Sequence, residues 1–126
     1  MMAERIVKIL IVDDEEPIGQ VLKAGLEMNG FAVRYEARST HVIKACLEFH
    51  PDLVLLDIDM PDKDGGQVAA ELRAHPTLRR IPVMFLSSIV DREETGKRNV
   101  SHEVFLSKQI RIAELVVIIR DVLRKS

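Results

Sequence analysis

Asp13, Asp14, Asp57, Ser87 and Lys108 are the side chains of this 126-residue chain whose types and surroundings demand a chemical explanation. The stretch LVLLDIDMP (53–61) poses the sharpest case. Four apolar residues run into Asp57, a second carboxylate follows at Asp59, and Pro61 closes the segment. A carboxylate at the edge of a core is costly unless something pairs with it. Other apolar runs end the same way: VKILIV (7–12) in Asp13 and Asp14, with Glu15 just beyond, PVMFLSS in Ser87 and Ser88, and VFLS in Lys108. Three carboxylates a few ångströms apart should not all ionise without compensation. A hard divalent cation held by oxygen ligands alone, Mg²⁺ or a similar ion, relieves that repulsion and takes phosphate oxygens as further ligands. A lysine ammonium supplies a movable point charge suited to phosphate, and a serine hydroxyl supplies a donor for a phosphoryl oxygen. Brought together, these groups make a site for a phosphoryl group with a carboxylate available to attack it.

The elements that must position them follow from the pattern of apolar residues. VKILIV, FAVRYEA, DLVLLDI, IPVMFLSS and EVFLS (103–107) read as five strands. Between them lie helical patterns. EPIGQVLKAGLEMNG has Pro17 in its first turn, Ile18, Val21, Leu22, Gly25 and Leu26 on one face, and Gly30 as a stop. STHVIKACLEFH takes Ser39 or Thr40 as N-cap, GGQVAAELRAH ends near Pro76, and RIAELVVIIRDVLRK closes the series. Strands apolar on both faces belong to a parallel sheet covered by helices on both sides. Right-handed crossovers make this an α/β, doubly wound (βα)5 arrangement in three layers. Ligands of such sheets bind at the carboxyl ends of the strands, where all five polar groups fall. The segment 89–102, where a fourth helix belongs, has almost no apolar stripe and carries Gly96; a short, shifted or loosely packed helix is expected there.

Composition narrows the classes. Apolar residues make up 47% and charged residues 30%, the make-up of an ordinary soluble domain of one core. A formal net charge of −2 offers no field to draw nucleic acid or an anionic membrane. One cysteine, Cys46, excludes an internal disulfide and fits a reducing, cytoplasmic setting. No signal peptide is visible at MMAERIVKIL, and the apolar run LVVII (115–119) is far too short for a bilayer.

ILIVDDEE, LVLLDIDMPDKDGG, PVMFLSS and VFLSK, taken in order, resemble the receiver domain of two-component response regulators over essentially the full length, residues 1–126. The intervals are similar too: 44 residues from Asp13 to Asp57, 30 from Asp57 to Ser87 and 21 from Ser87 to Lys108. The resemblance implies a flavodoxin-like fold with strand order 2-1-3-4-5. It implies Asp57 as phosphoacceptor and Asp13 and Asp14 as the acidic pair that holds Mg²⁺ (or Mn²⁺), with the backbone carbonyl of Asp59 as a further ligand. Ser87 matches the hydroxyl residue that binds the phosphoryl group, with Ser88 beside it where alanine is common. Lys108 matches the lysine that pairs with the phosphate, and Phe105 the aromatic residue that turns inward on activation. Pro61 and Gly65 match the turn after the acceptor, where Gly65 is expected to supply a positive φ. The implied partner is a sensor histidine kinase or histidine phosphotransfer protein. The implied output is a repacked face of fourth helix, fifth strand and fifth helix, through which the chain could also form a homodimer. Neither direct nucleic-acid binding nor membrane contact is implied. Nor is enzymatic turnover, beyond slow Mg²⁺-dependent self-phosphorylation and self-dephosphorylation.

The chain departs from the family pattern at Gln109, where proline after a cis bond is usual. A cis bond before glutamine costs ~2.5–4 kcal/mol, so the expectation is a trans bond with a shifted loop, or strain tolerated to place Lys108. NVSHEVF lacks the frequent Gly-Ala pair. Asp59 and Ile89 flank the approach of an attacking water. Among other residues, His41, His50, His75 and His102 share no metal-like spacing, and Cys46 lies on an apolar helical pattern with Val42, Ile43 and Leu47. In the last helix, Ile112, Leu115, Ile119, Val122 and Leu123 can face the sheet. That leaves Ile110, Ala113, Val117 and Ile118 for a second side, either a partner surface or packing under neighbouring loops. Three rivals share part of the pattern. A non-phosphorylated pseudo-receiver would bind proteins only. A haloacid-dehalogenase-like phosphatase would use Asp57 and Asp59 as nucleophile and acid, but its motif usually opens the chain. A flavodoxin-like FMN carrier would need a Ser/Thr-rich phosphate loop where acids stand here. The sequence reads either as a stand-alone receiver or as part of a longer regulator.

Overall fold

The computed structural model describes residues 5–89 and 103–125. Their order is β1 (Lys8–Val12), α1 (Glu16–Met28), β2 (Ala32–Glu36), a 3-10 turn (Ser39–His41), α2 (Val42–Phe49), β3 (Leu53–Asp57), α3 (Gly65–Ala74), β4 (Val83–Ser87), β5 (Val104–Ser107) and α4 (Ile112–Lys125). The helix predicted within 89–102 falls outside the described residues, Ile89 excepted, so α4 is the helix that closes the sequence. The five strands are parallel and lie in the order β2-β1-β3-β4-β5, as expected.

Alternation along each strand sorts the apolar residues into two layers. Ile9, Ile11, Leu53 and Leu55 meet Leu22 and Leu26 of α1 and Leu115 and Ile119 of α4. Leu10, Val12, Val54 and Leu56 meet Val42, Ala45 and Cys46 of α2 and Val68, Ala69 and Leu72 of α3. β3 sits mid-sheet between both layers, so every residue from Leu53 to Asp57 is buried, whereas edge strand β2 is half-buried throughout. Each buried leucine of β3 contributes roughly 1.5–3 kcal/mol relative to exposure, enough in sum to carry a carboxylate at the strand's end. Among the described residues no helix is long and apolar enough to cross a membrane.

Four local expectations need correction. Val21 does not join the buried face of α1; it is 67% exposed, because the stripe formed by Ile18, Leu22 and Leu26 already meets the sheet. Neither Ser39 nor Thr40 caps α2. Ser39 opens the 3-10 turn, and its hydroxyl bonds the β3–α3 loop, donating to the Pro61 carbonyl at 3.1 Å and accepting from the Lys63 N–H at 3.3 Å. Ile110 is no part of a second side but a core residue, 6% exposed, that pins the chain before α4. Ile118 packs against the same core in part, which leaves Val117, 67% exposed, as the large apolar residue on the outer face of α4. α1 ends at Met28, and Gly30 takes φ +90° as the expected stop.

Replacing Leu55, fully buried in β3, with alanine should lower stability by about 2–5 kcal/mol. Val21→Ala should stay within about 0.5 kcal/mol of the parent. Urea unfolding of the two variants side by side checks the layer assignment.

Candidate functional site

All five strands end at one edge of the sheet. The register pairs Val12 with Leu56, Asp57 with Leu86 and Ser87 with Ser107. Asp13, Asp57, Ser87 and Lys108 therefore form a row across the carboxyl ends of β1, β3, β4 and β5. The side chains of Asp13 and Asp57 are fully buried, and that of Lys108 is only 6% exposed. Lys108 Nζ lies 3.0 Å from Asp57 Oδ2, 3.2 Å from Asp13 Oδ1 and 2.6 Å from Glu15 Oε1. The remaining oxygen of each aspartate has a distinct fate. Asp57 Oδ1 accepts from the Asp59 N–H at 3.0 Å, whereas Asp13 Oδ2, also 3.2 Å from the ammonium, is buried without a hydrogen bond.

Asp14 is exposed, yet one oxygen from each of Asp13, Asp14 and Asp57 lies within 4.8 Å of the others. Carboxylates that close, with a buried orphan oxygen among them, are incomplete as they stand. The donors are all oxygen and the missing component is positive charge, which fits a hard divalent cation. Burial pushes Asp57 up to about 7 from its usual 3.8; the Asp13 charge and Asp14 add to the rise, and the Lys108 ammonium and the Asp59 N–H oppose it. Lys108 moves the other way from what burial alone would do: desolvation lowers it, but Glu15, then Asp57 and Asp13, raise it well above the ordinary lysine range. The ammonium stays charged at any working pH.

The backbone around these groups is held by contacts that were not evident in the sequence. The Tyr35 hydroxyl donates to the Asp13 carbonyl, fixing the turn after β1 from the neighbouring strand. A Cβ at Gly19 would strike the Tyr35 ring. Gly65 does not adopt a positive φ; that conformation falls to Asp62 at φ +70°. Glycine is required at 65 by close approach instead, since a Cβ there would lie 2.6 Å from the Asp57 carbonyl oxygen and 2.8 Å from Ile58 Cα. At position 64, Asp64 caps α3 reciprocally with Gln67. Every peptide bond among the described residues is trans, including that before Gln109. Gln109 uses the N–H a proline would lack, donating to Ser107 Oγ at 3.1 Å, while the Lys108 N–H holds the Ser87 carbonyl at 3.1 Å.

Of the other predicted site residues, Ser87 is buried and its hydroxyl accepts from the Ile89 N–H at 3.2 Å. Ser88 and the Asp59 side chain are exposed. Phe105 is half-buried and stacks on Phe85 with ring centroids 5.2 Å apart. Glu15 is the residue that sequence reasoning underrated. The acidic run DDEE pointed toward it, but only the fold shows its carboxylate on Lys108.

Such a row of acids and one lysine marks an α/β domain of the 2-1-3-4-5 parallel type with an acidic site at its strand ends. The family description "Response regulator receiver domain" matches residues 9–120, and the chain belongs to that family. It is 31% identical over 118 residues to the transcriptional regulatory protein PrrA of Mycobacterium tuberculosis, covering 94% of this chain and 50% of PrrA. It is 30% identical over 119 residues to the transcriptional regulatory protein GltR of Pseudomonas aeruginosa, covering 94% of this chain and 49% of GltR. The chain thus spans about half the length of these curated relatives. Among solved structures, a CheY-like receiver domain from Methylobacillus flagellatus superposes with a TM-score of 0.77 at 28% identity, covering 94% of this chain and 99% of that one. A response regulator from Desulfuromonas acetoxidans shares the fold with a TM-score of 0.79 at 22% identity, covering 94% and 97%.

Two consequences can be measured. Gly65→Ala should cost about 1–3 kcal/mol, because the backbone it meets cannot step aside; the urea midpoint should fall with an unchanged slope. The folded chain keeps a proton on Asp57 up to about pH 7, whereas an unfolded aspartate releases it near 3.8. In that window the folded state binds the extra proton, so its stability falls as pH rises toward 7. Without divalent cations, Asp57→Asn should raise the melting temperature by several degrees at pH 8 and change it little near pH 4.

Proposed function

We propose that residues 1–126 act as a phosphoacceptor domain of a two-component system, with Asp57 as the acceptor. One observation carries the reading: a buried ammonium–carboxylate cluster in which Lys108 bridges Asp57 and Asp13, next to a close carboxylate trio in which Asp13 Oδ2 has no hydrogen bond.

In the proposed reaction, Asp57 Oδ2 attacks the phosphorus of a phosphohistidine on a histidine kinase or phosphotransfer protein. The P–N bond breaks as the O–P bond forms, and the imidazole nitrogen leaves with the bonding pair. Asp13, Asp14 and Asp57, with the Asp59 carbonyl, would hold Mg²⁺ or Mn²⁺. When bound, that cation supplies positive charge for the phosphoryl oxygens. Lys108 loses Asp57 Oδ2 as a partner once that oxygen is esterified, and its donors turn to the new phosphoryl oxygens. Ser87, next to the β4 residue that pairs with Asp57, would supply a hydroxyl to the same group. Phe105, stacked on Phe85, would change its packing as the β4 and β5 ends close on the phosphate. A transferred charge of about −1.5 to −2 then biases a two-state equilibrium at the output face. That face, comprising β5 and the final helix among the described residues, would carry the output or a homodimer contact. By family analogy the setting is cytoplasmic.

Intact-mass spectra after incubation with acetyl phosphate and Mg²⁺ should show one added phosphoryl group, lost with EDTA and absent in Asp57→Asn. Wild-type protein that gains no phosphate from this donor or from any competent kinase would leave a protein-binding pseudo-receiver as the better reading.

A further inference from the structure

Glu15 stands at the N-cap position of α1, where an acidic side chain can bond the free N–H groups of the first turn. Its carboxylate does not do so. Only its carbonyl serves the helix, accepting from Ile18 and Gly19 at 3.1 Å each. The carboxylate lies instead 2.6 Å from Lys108 Nζ, nearer than either buried aspartate. An ammonium has three donors, and Lys108 has three acceptors, on Glu15, Asp57 and Asp13. Its donors are therefore saturated.

The three acceptors differ in what becomes of them. Asp13 and Asp57 belong to the carboxylate trio that fits a cation, and Asp57 is the proposed acceptor; both are withdrawn from Lys108 when the site is loaded. Glu15 lies outside that trio, and its side chain is 57% exposed, so nothing in the loading of the site removes it. Its carboxylate stays 2.6 Å from Lys108 Nζ, where it competes with the phosphoryl oxygens for that ammonium. Among the groups that raise Lys108 against its desolvation, Glu15 also comes first.

We propose that Glu15 is a positioning residue that restrains Lys108: it holds the ammonium in the unloaded site and must release or share it before Lys108 can serve a phosphoryl group. This inference rests on the phosphoacceptor reading and adds to it a residue that sets the balance between unloaded and loaded states. An exposed carboxylate on a buried ammonium is worth little in absolute terms, so the effect is a modest adjustment rather than a switch.

Beryllium fluoride at saturating Mg²⁺, titrated into the protein and followed by ¹⁹F NMR, reads the loaded state without any transfer chemistry. Glu15→Gln should bind it roughly 2- to 5-fold more tightly than the parent. Glu15→Asp keeps the charge but draws the carboxylate back by about 1.5 Å, one C–C bond; it should behave like Glu15→Gln. In a Lys108→Gln background, Glu15→Gln should no longer change the affinity. Glu15→Asp matching wild type, or an undiminished effect without Lys108, would reduce Glu15 to a nearby charge and overturn the restraint. Weaker or unchanged binding in Glu15→Gln would overturn it as well. A wild-type protein that takes up no beryllium fluoride would instead sink the phosphoacceptor reading, and the restraint with it.

Discussion

One buried ammonium holds this structure's functional edge together. Asp13 and Asp57 are carboxylates without solvent access, close enough to raise each other's energy, and Lys108 is what lets them coexist. The compensation is partial: Asp57 remains far above the ordinary aspartate range, and Asp13 Oδ2 lacks a hydrogen bond. A cluster optimised for stability alone would not be left in this state. The residual strain is electrostatic and points in one direction, toward more positive charge among the acids. That is the condition under which a divalent cation is welcome among the acids.

Such a cluster needs a scaffold stable enough to force it. β3 supplies most of that, with four consecutive fully buried residues before Asp57, packed between α1 and α4 on one side and α2 and α3 on the other. Around it the loops are tied one by one. Tyr35 holds the Asp13 carbonyl, Ser39 holds the turn at Pro61 and Lys63, and the absence of a Cβ at Gly65 lets α3 begin against the Asp57 backbone. None of these residues needs to touch a ligand. Each fixes one of the segments on which a ligand-facing carboxylate depends.

The fold was legible because its determinants are repetitive. Apolar runs such as LVLL and MFL have few alternatives to a buried parallel strand, and the same runs place Asp13, Asp57, Ser87 and Lys108 at the strand ends. What was illegible depends on single contacts between elements distant in sequence. Ser39 looks like a cap to local reasoning, yet its hydroxyl serves a loop 22 residues away. Gly65 looks like a turn residue, yet its constraint is contact with Asp57 and Ile58. Val21 and Ile110 were misassigned because periodicity gives the direction of a side chain, not what already fills that direction. Glu15 was visible as one more acid in DDEE; that it reaches Lys108, 93 residues on, is a property of the folded chain.

The placement of Lys108 on the last strand of the sheet has a mechanical consequence. β5 pairs only with β4 among the described strands, so Lys108 follows an edge strand. Its backbone is nonetheless fixed, by the bond to the Ser87 carbonyl, by Gln109 on Ser107 Oγ and by the burial of Ile110 just beyond. The trans Lys108–Gln109 bond is therefore compatible with an ammonium that still reaches both aspartates. With the main chain held and a four-carbon stem between it and the charge, the ammonium can move without its backbone. Redistributing its three donors among Asp13, Asp57, Glu15 and an incoming anion requires no change in sheet register. The adjustable part at Lys108 is thus one side chain on an anchored backbone.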